Sequence, residues 1–272
     1  MPLQLTWSAA TDLPVEAGWL RPDSLMSLST AEVARLHLAV GNATAEVGEL
    51  FKVEGQGADG CLVVVGDLRR LARLGSGMAS GQLTIEGEAG DHLGAAMNGG
   101  TITVNGSAGD WTGAELRGGL IRIKGSVGHF LGAAYPGSRR GMRSGTILVD
   151  GSAGNDAGLS MRRGLIAIGG SAGDCLGRSL IAGSLFAFGP IGAYAGAGMK
   201  RGTLALFGNK PPDLLPSFPF AGGFRPVFLA LYLRQLCAWS FPVPTSAFAG
   251  SFDRYNGDLV EGGQGEILVW KP

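Results

Sequence analysis

The stretch GTITVNGSAGDWTG, residues 100–113, is one copy of a pattern that the chain repeats along residues 81–208. The other full copies read GQLTIEGEAGDHLG, GLIRIKGSVGHFLG, GTILVDGSAGNDAG, GLIAIGGSAGDCLG and GSLFAFGPIGAYAG, and a shortened copy reads GTLALFG. A fixed period near 20 residues indicates a repeat architecture. The copies begin at Gly81, Gly100, Gly119, Gly145, Gly164, Gly183 and Gly202, so the period is 19 residues with one spacing of 26.

Within each copy, apolar residues alternate with polar or small ones, as at Ile102 and Val104 after Gly100. Alternation over a few residues rich in Ile, Val and Thr is typical of a half-buried strand. A second apolar position follows later in each copy, for example at Met97 and Leu116, and no run has a helical pattern. We therefore predict an all-β fold, a right-handed parallel β-helix (solenoid) with about three short strands per turn and turns about 4.8 Å apart.

Each full copy also carries the pattern G-x-x-G-x-x-x-G. Corners that recur at the same place in every turn favour glycine, either for positive φ or for a close approach of backbones. These glycines are therefore predicted to be structural, and they do not indicate a phosphate-binding loop. The set comprises Gly87, Gly90, Gly94, Gly106, Gly109, Gly113, Gly125, Gly128, Gly132, Gly151, Gly154, Gly158, Gly170, Gly173, Gly177, Gly189, Gly192 and Gly196.

The β-helix is predicted to span residues 60–208, with short capping segments at both ends. Residues 1–59 are the expected N-terminal cap, in which Ser29 and Glu32 have the spacing of a capping box ahead of a short helix. The cap would cover the unpaired backbone groups of the first turn.

Residues 209–272 are the expected C-terminal cap, which is rich in proline and aromatic residues. Prolines, including Pro211 and Pro212, cannot continue a ladder of backbone hydrogen bonds. Apolar spacing between Arg225 and Trp239 predicts one short helix. The aromatic residues of this segment either pack into the core or contact a partner protein.

The composition excludes several classes of protein. The formal net charge is zero and only 16% of residues are charged, so no preference for nucleic acid or a membrane surface follows. There is no secretory signal and no apolar stretch of ~18 residues, so a cytoplasmic location is predicted. Cys61, Cys175 and Cys237 are far apart, and the three histidines have no ligand spacing, so no metal site is predicted.

No catalytic residues are predicted. The chain lacks G-x-S-x-G and H-E-x-x-H, and its glycine triplets do not open a helix after a strand as a Rossmann or P-loop motif would. A β-helix enzyme of the polysaccharide-lyase type would need carboxylates clustered on one face. The acidic residues here do not share one position of the repeat.

Basic residues do recur at one position, just before the first glycine of a copy. Arg117, Arg143 and Arg162 hold this position in consecutive copies, so their Cα atoms should lie about 5 Å apart in a column. Like charges so close repel by about 1 kcal/mol per pair in water, so the column is either a solvated ladder or a site that meets an anion. Arginine binds carboxylates through two parallel hydrogen bonds, which would suit an acidic partner surface or a polyglutamyl chain. The candidate contact residues are Arg117, Arg139, Arg140, Arg143, Arg162, Arg163, Lys200 and Arg201.

The repeat resembles the glycine-rich β-helix of a known family. It is similar to the C subunit of formylmethanofuran dehydrogenase, to the C subunit of the formyltransferase/hydrolase complex of methylotrophic bacteria, and to the C-terminal domain of the glutamate synthase large subunit. The repeat covers about half of the chain. The length and the ending RYNGDLVEGGQGEILVW, residues 254–270, favour the group of C subunits over glutamate synthase.

The resemblance implies a non-catalytic scaffold subunit of a hetero-oligomeric complex in one-carbon metabolism. Such a formyltransferase/hydrolase complex moves a formyl group from a tetrahydromethanopterin carrier to a methanofuran-type carrier and hydrolyses it to formate. The resemblance places the chemistry and any metal on other subunits, and implies no cofactor bound by this chain. Since the methanofuran-type carrier bears glutamyl residues on its arm, the basic column is expected to touch that arm or a neighbouring subunit.

Two alternatives remain open from the sequence. The chain could be the C subunit of a molybdenum or tungsten formylmethanofuran dehydrogenase, although arginine outnumbers lysine, which favours a bacterial methylotroph. It could instead be an independent β-helix that binds an anionic ligand.

Overall fold

A computed structural model describes residues 1–208 and 213–271. Pro211 and Pro212, which were predicted to stop the repeat, lie outside the described residues. The helices are α1 (Pro22–Leu25), α2 (Thr30–Ala34), α3 (Val47–Leu50) and α4 (Val227–Ala238), with 3₁₀ helices at Thr245–Phe248 and Leu259–Glu261. The strands are β1 (Leu3–Trp7), β2 (Val15–Glu16), β3 (His37–Val40), β4 (Ala43–Glu46), β5 (Phe51–Glu54), β6 (Cys61–Val65), β7 (Leu71–Ala72), β8 (Gln82–Glu86), β9 (Thr101–Val104), β10 (Leu120–Ile123), β11 (Thr146–Val149), β12 (Leu165–Ile168), β13 (Ser184–Ala187), β14 (Arg201–Leu206), β15 (Phe220–Phe224), β16 (Ser251–Gly257) and β17 (Gln264–Lys271).

The repeat forms the centre of a thirteen-stranded sheet of order β15-β16-β17-β14-β13-β12-β11-β10-β9-β8-β6-β1-β5. Each copy gives one strand, and neighbouring copies pair in parallel and in register, so that Thr101 lies opposite Leu120 and Leu120 opposite Thr146. On the inner side of β9, Ile102 and Val104 are fully buried. The two-residue alternation of the sequence therefore determines which side of the sheet faces the core.

The predicted right-handed parallel β-helix is wrong. The large sheet is mixed, because β5, β15 and β16 pair antiparallel with their neighbours, and each copy contributes one strand instead of three. The second half of each copy makes only isolated bridges, such as Ala108 to Val127. Its backbone repeatedly enters the left-handed region, at Trp111, Gly113 and Glu115 for example (φ of 61°, 63° and 53°), which interrupts an extended strand.

One hydrophobic core lies on the inner side of the repeat strands. Ile121 and Ile147 of β10 and β11 pack there with Met97, Leu116 and Met142 from the second halves of the copies, and all five are fully buried. Burying a side chain of this size stabilises a fold by about 1.5–3 kcal/mol. The second apolar position of the repeat is therefore part of this core.

A second core lies on the outer side of the same sheet, beneath α4. Leu148, Ala167 and Phe186 project outward from β11, β12 and β13, and they pack with Leu229 and Leu233 of the helix. This explains why these strands depart from strict alternation in the sequence. The apolar spacing between Arg225 and Trp239 predicted a helix, and α4 confirms it.

Arg122 of β10 ties the end of α4 to the sheet. Its Nη1 donates to the carbonyl of Trp239 (2.9 Å), and its Nη2 donates to the carbonyl of Ser240 (3.0 Å) and to Asp150 (2.8 Å). The guanidinium also lies 5.6 Å from the ring centroid of Phe241. The side chain of Arg122 is only 13% exposed, so these bonds replace water that it has lost.

The N-terminal residues form a four-stranded sheet of order β4-β3-β2-β7 beside the large one. Helix α2 begins at the predicted capping box, which is confirmed: the hydroxyl of Ser29 accepts from the Glu32 N–H, and the Glu32 carboxylate accepts from the Ser29 N–H. The three predicted segments, 1–59, 60–208 and 209–272, stay a proposal about domain boundaries. In the described residues, no helix is long and apolar enough to cross a membrane.

Candidate functional site

Side-chain ladders fix the corners of successive copies. Asp91, Asp110, His129 and Asn155 each accept a hydrogen bond from a backbone N–H of the next copy, at 2.7–2.9 Å. A second ladder runs through Ser107, Ser126, Ser152 and Ser171 at 3.0–3.1 Å. The S-A-G-D part of the repeat therefore satisfies backbone donors and is not free for chemistry.

Glycine allows this close stacking. A Cβ at Gly109 would collide with the Asp91 carboxylate, and a Cβ at Gly106 would collide with the carbonyl of Gly87. Gly113 instead needs its positive φ of 63°.

The structure aligns the predicted basic column. The backbone N–H groups of Arg117, Arg143, Arg162 and Lys200 donate to carbonyls of Met97, Leu116, Met142 and Leu180 at 2.6–2.8 Å. Each carbonyl belongs to the previous copy, one residue before the column position; Arg143, for example, bonds Leu116, which precedes Arg117. Ile181 holds this position between Arg162 and Lys200 and interrupts the charges. Arg117, Arg143 and Arg162 therefore stand on adjacent copies about 4.8 Å apart, and Lys200 stands two copies beyond Arg162.

The end of this column that holds Arg162 and Lys200 lines a groove of about 490 Å³, which we call the basic groove. Four cationic side chains meet one carboxylate there, that of Glu261, which lies 3.5 Å from the Nζ of Lys200. The basic groove therefore carries an excess of positive charge. Its lining residues are Arg162, Arg163, Ile181, Ala182, Lys200, Arg201, Glu261 and Gln264.

The cations of the basic groove differ in how they are held. Arg201 donates from Nε to the Gln264 amide oxygen (2.9 Å), a neutral partner that leaves its charge uncompensated. Among the described residues, Arg162 and Arg163 form no ion pair within 4.0 Å. Arg163 also lines a second, more open groove of about 470 Å³ that runs beneath Tyr232, Gln235 and Trp239 of the α4 region. The two grooves are thus neighbours through Arg163.

The other predicted contact residues lie outside both grooves. Arg117 is exposed, and Arg139 and Arg140 stand exposed on the seven-residue insertion of the third copy. Arg143 is half-buried, and its Nε has no hydrogen-bond partner in the described part of the chain. The structure therefore brings four of the eight predicted residues into one groove, leaves Arg117 and Arg143 further along the column, and leaves Arg139 and Arg140 on the insertion.

The groove has the chemistry of an anion-binding surface. Guanidinium and ammonium groups bind carboxylates and phosphates, whereas nucleophilic catalysis needs a nucleophile beside a base. Its lining offers neither a His nor a Cys. Across residues 1–208 and 213–271, no three His, Cys, Asp or Glu side chains lie together as metal ligands would.

An aromatic cluster in the second halves of the first three copies was not predicted. Trp111 stacks on Phe130 with ring centroids 4.3 Å apart and on Tyr135 at 5.0 Å, and the Tyr135 hydroxyl lies 2.8 Å from His92 Nδ1. His92, Trp111 and Phe130 occupy the same position in three consecutive copies, a signal that comparison of the copies could have given. The cluster fixes the start of the loop that carries Arg139 and Arg140.

Burial perturbs the two titratable members of this cluster. It lowers the pKa of His92, and the nearby Arg73 guanidinium lowers it further. Burial raises the pKa of Tyr135. Burial therefore disfavours the charged form of both groups.

Comparison with known proteins bears on the whole chain. A crystal structure of the formyltransferase/hydrolase complex from Methylorubrum extorquens, in complex with methylofuran, contains a similar chain. That chain is 33% identical, superposes with a TM-score of 0.91, and matches 99% of this chain and 100% of its own length. No protein-family model matches.

Shorter matches come from archaeal enzymes. The C subunit of the molybdenum-containing formylmethanofuran dehydrogenase 1 of Methanosarcina barkeri is 36% identical over 88 residues, which is 31% of this chain and 29% of the relative. The C subunit of the tungsten-containing formylmethanofuran dehydrogenase 2 of Methanococcus maripaludis is 33% identical over 92 residues, 34% of each. The chain thus spans about a third of the length of the curated relatives it matches.

These likenesses define a class of protein, the C subunits of C1-transfer complexes. The chain belongs to the family of formylmethanofuran dehydrogenase C subunits, and the predicted resemblance to this family is confirmed. Within the family, the match over the full length is to the formyltransferase/hydrolase complex. The further resemblance to glutamate synthase stays a prediction.

Proposed function

We propose that the chain is a non-catalytic scaffold subunit of a formyltransferase/hydrolase complex. In this complex a formyl group would pass from a tetrahydromethanopterin carrier to a methanofuran-type carrier and then be hydrolysed to formate, with the reacting groups and any metal on other subunits. The observation that supports this most strongly is the full-length likeness to a chain of that complex at 33% identity. The likeness to molybdenum and tungsten dehydrogenases extends over only about a third of the chain, which favours the formyltransferase/hydrolase complex.

The basic groove would serve this role by binding a chain of carboxylates. Arg162, Arg163, Lys200 and Arg201 offer four cations to a ligand, against the single carboxylate of Glu261. Arg162 and Arg163 lie two copies, or about 9.6 Å, from Lys200 and Arg201, with Ile181 and Ala182 between them, so an extended anionic chain could meet both pairs of charges along its length. The ligand would be the glutamyl arm of the carrier or an acidic segment of a neighbouring subunit.

The test is purification of the tagged chain from its native host. We expect the parent to recover other subunits and formyl-transfer activity, and we expect the chain alone to have none. Reversing two adjacent charges, Arg162→Glu with Arg163→Glu, should reduce recovery or carrier use at least about tenfold, because repulsion replaces attraction at the same sites. The matched control is Arg69→Glu with Arg70→Glu, an exposed adjacent pair outside the groove.

Each result decides a part of the proposal. Formyl transfer by the isolated parent chain would contradict the non-catalytic role. Unchanged recovery and turnover in the Arg162→Glu, Arg163→Glu variant would remove the basic groove from the proposal. The column above the groove is tested separately by Arg143→Glu, whose side chain lines neither groove.

A further inference from the structure

The outer face of α4 exposes large apolar side chains. Val227 is 84% exposed and Leu231 66%, and Phe228 and Tyr232 lie beside them at 38% and 36%. The opposite face, with Leu229 and Leu233, packs into the second core. A helix on a protein surface normally turns polar residues outward, and one that is apolar all round is normally covered. Helix α4 is therefore covered on one face only.

The exposed surface continues onto the edge of the large sheet. Strand β15 ends the sheet and pairs on one side only, with β16. Phe220 and Phe224 of this strand are 59% and 38% exposed. Natural proteins usually protect such an edge with charges, a bulge or a covering segment, because its unpaired backbone groups can pair with another chain. Between the two aromatic residues, β15 has only Ala221, Gly222 and Gly223, and its pairing with β16 shifts register between Phe220 and Gly222, so this edge has an irregularity in register but no charge.

The charges around this surface have an excess of one sign, because Asp253 of β16, which lies opposite Gly223, forms an ion pair with Lys271 at 2.7 Å. Residues 214–252 contain two charged side chains, Arg225 and Arg234, and no Asp, Glu or Lys. Both arginines are exposed, and neither forms an ion pair with a described residue. A partner that covers this surface should therefore be apolar at its centre and carry carboxylates opposite the two arginines.

This charge pattern also distinguishes between partners. A second copy that docked face to face would bring the same two arginines and no carboxylate from this segment. A different subunit is free to supply both the apolar centre and the acidic groups. The pattern therefore favours a different chain over a second copy.

We propose that Phe220, Phe224, Val227, Phe228 and Leu231 form an apolar docking surface for another subunit, which places carboxylates against Arg225 and Arg234. The proposal rests on the proposed function, which supplies a hetero-oligomeric complex for the chain to join. The docking surface is separate from the basic groove, because none of its residues lines that groove.

The experiment compares two exposed leucines in the full-length chain. Leu231→Asp places a carboxylate on the docking surface, and Leu13→Asp places one at a position of similar exposure (53%) in the N-terminal region. Each tagged variant is purified from the native host, and the co-purifying subunits are quantified by mass spectrometry against the parent. We expect Leu231→Asp to lose at least about tenfold of the recovered subunits, because a carboxylate would be buried against the apolar centre of the partner, and Leu13→Asp to retain them.

Two further measurements keep the result interpretable. A photoreactive residue at position 231 in the otherwise parental chain should crosslink to a different subunit, and the same residue at position 13 should not. Arg234→Glu should weaken recovery without a change in circular dichroism, because it opposes the expected carboxylates.

The outcomes separate this proposal from the proposed function. If the parent itself recovers no formyl-transfer subunits, the proposed function fails. If the parent recovers them and Leu231→Asp does so equally, with no crosslink from position 231, the docking surface is wrong. A crosslink from position 231 to a second copy of the chain would overturn the choice of partner.

Discussion

The two ends of the thirteen-stranded sheet present different edges to their surroundings. Strand β5 at one end carries Lys52 and Glu54, whose charged groups pair at 2.9 Å and remain exposed. Strand β15 at the other end carries exposed Phe220 and Phe224 and no charge. Charged side chains discourage pairing with another chain, and apolar ones favour it. The comparison indicates that one end of the sheet is closed against partners and the other is built to receive one.

The two ends also differ in their cores, because the β15 end contributes to a second core in addition to the first, in which Ile267 of β17 is buried. Phe51 of β5 and Val47 of α3 belong to the same core as the inner face of the repeat. Helix α4 and Phe252 of β16 belong to the second core, on the outer face of the sheet. The β15 end should therefore differ in stability from the β5 end, and Arg122 hydrogen-bonds the end of α4 to the repeat.

The largest expected effect follows from removing that residue. Arg122→Met should lower the free energy of unfolding by about 3 kcal/mol, because it leaves Asp150 and the carbonyls of Trp239 and Ser240 without their buried donor. Lys124→Met is the matched control, since Lys124 follows the same strand and is exposed. Urea unfolding of both variants checks the prediction.

Hydrogen exchange on the same variants sharpens the comparison of the two ends. We expect faster exchange in α4 and β16 of Arg122→Met and unchanged exchange in β1 and β5. Equal losses of stability in Arg122→Met and Lys124→Met would contradict the role given to Arg122.

A smaller effect is expected from opening the protected edge. Replacing Lys52 and Glu54 together by valine should turn β5 into an apolar edge and raise self-association, with little change in stability because both side chains are largely exposed. Light scattering against protein concentration measures this. The control is Lys124→Val, which removes an exposed charge away from the edge; if it associates equally, loss of charge alone is the cause.

Part of this architecture could be predicted from sequence. The alternation around Ile102 and Val104 gave the strands and their buried side, and the spacing of Arg117, Arg143 and Arg162 gave a column that the backbone bonds align. Local periodicity was sufficient there, because each copy meets an almost identical neighbour.

Other features depend on contacts that no local pattern contains. The three strands predicted per copy failed because left-handed residues such as Trp111 and Glu115 break the backbone, although neither residue type marks that conformation. The second core could not be predicted because it joins Phe186 to helix α4, which begins more than 40 residues later in the chain. The basic groove could not be predicted either, because Arg163 and Arg201 meet Glu261 and Gln264 there only when β17 pairs with β14.

The smallest predicted effect is on stability at low pH. It depends on His92, which lies nearer the β5 end of the sheet than the β15 end. Burial lowers the pKa of His92 in the folded chain from the ordinary value of 6.5. The stability that the neutral ring contributes is therefore fully present at pH values above 6.5, and it is lost as the pH falls through the lowered pKa. His92 faces Tyr135, Arg73, Asp91, Glu16 and Asp110. His92→Gln should therefore flatten the dependence of Tm on pH between 7 and 5, by less than about 2 °C since the ring is partly exposed.

His37→Gln, a change at an exposed histidine, is measured beside His92→Gln to separate the loss of a histidine as such from the loss of the His92 ring. Acid should also speed hydrogen exchange in β8 and β9, which belong to the copies that hold His92 and Trp111, more than in β15 and β16. Identical pH profiles for His92→Gln and the parent would show that the ring of His92 does not couple protonation to the fold. If acid instead speeded hydrogen exchange only in β15 and β16, the acid-sensitive contact would lie at the apolar end of the sheet. The contrast between the two ends would then need another physical cause.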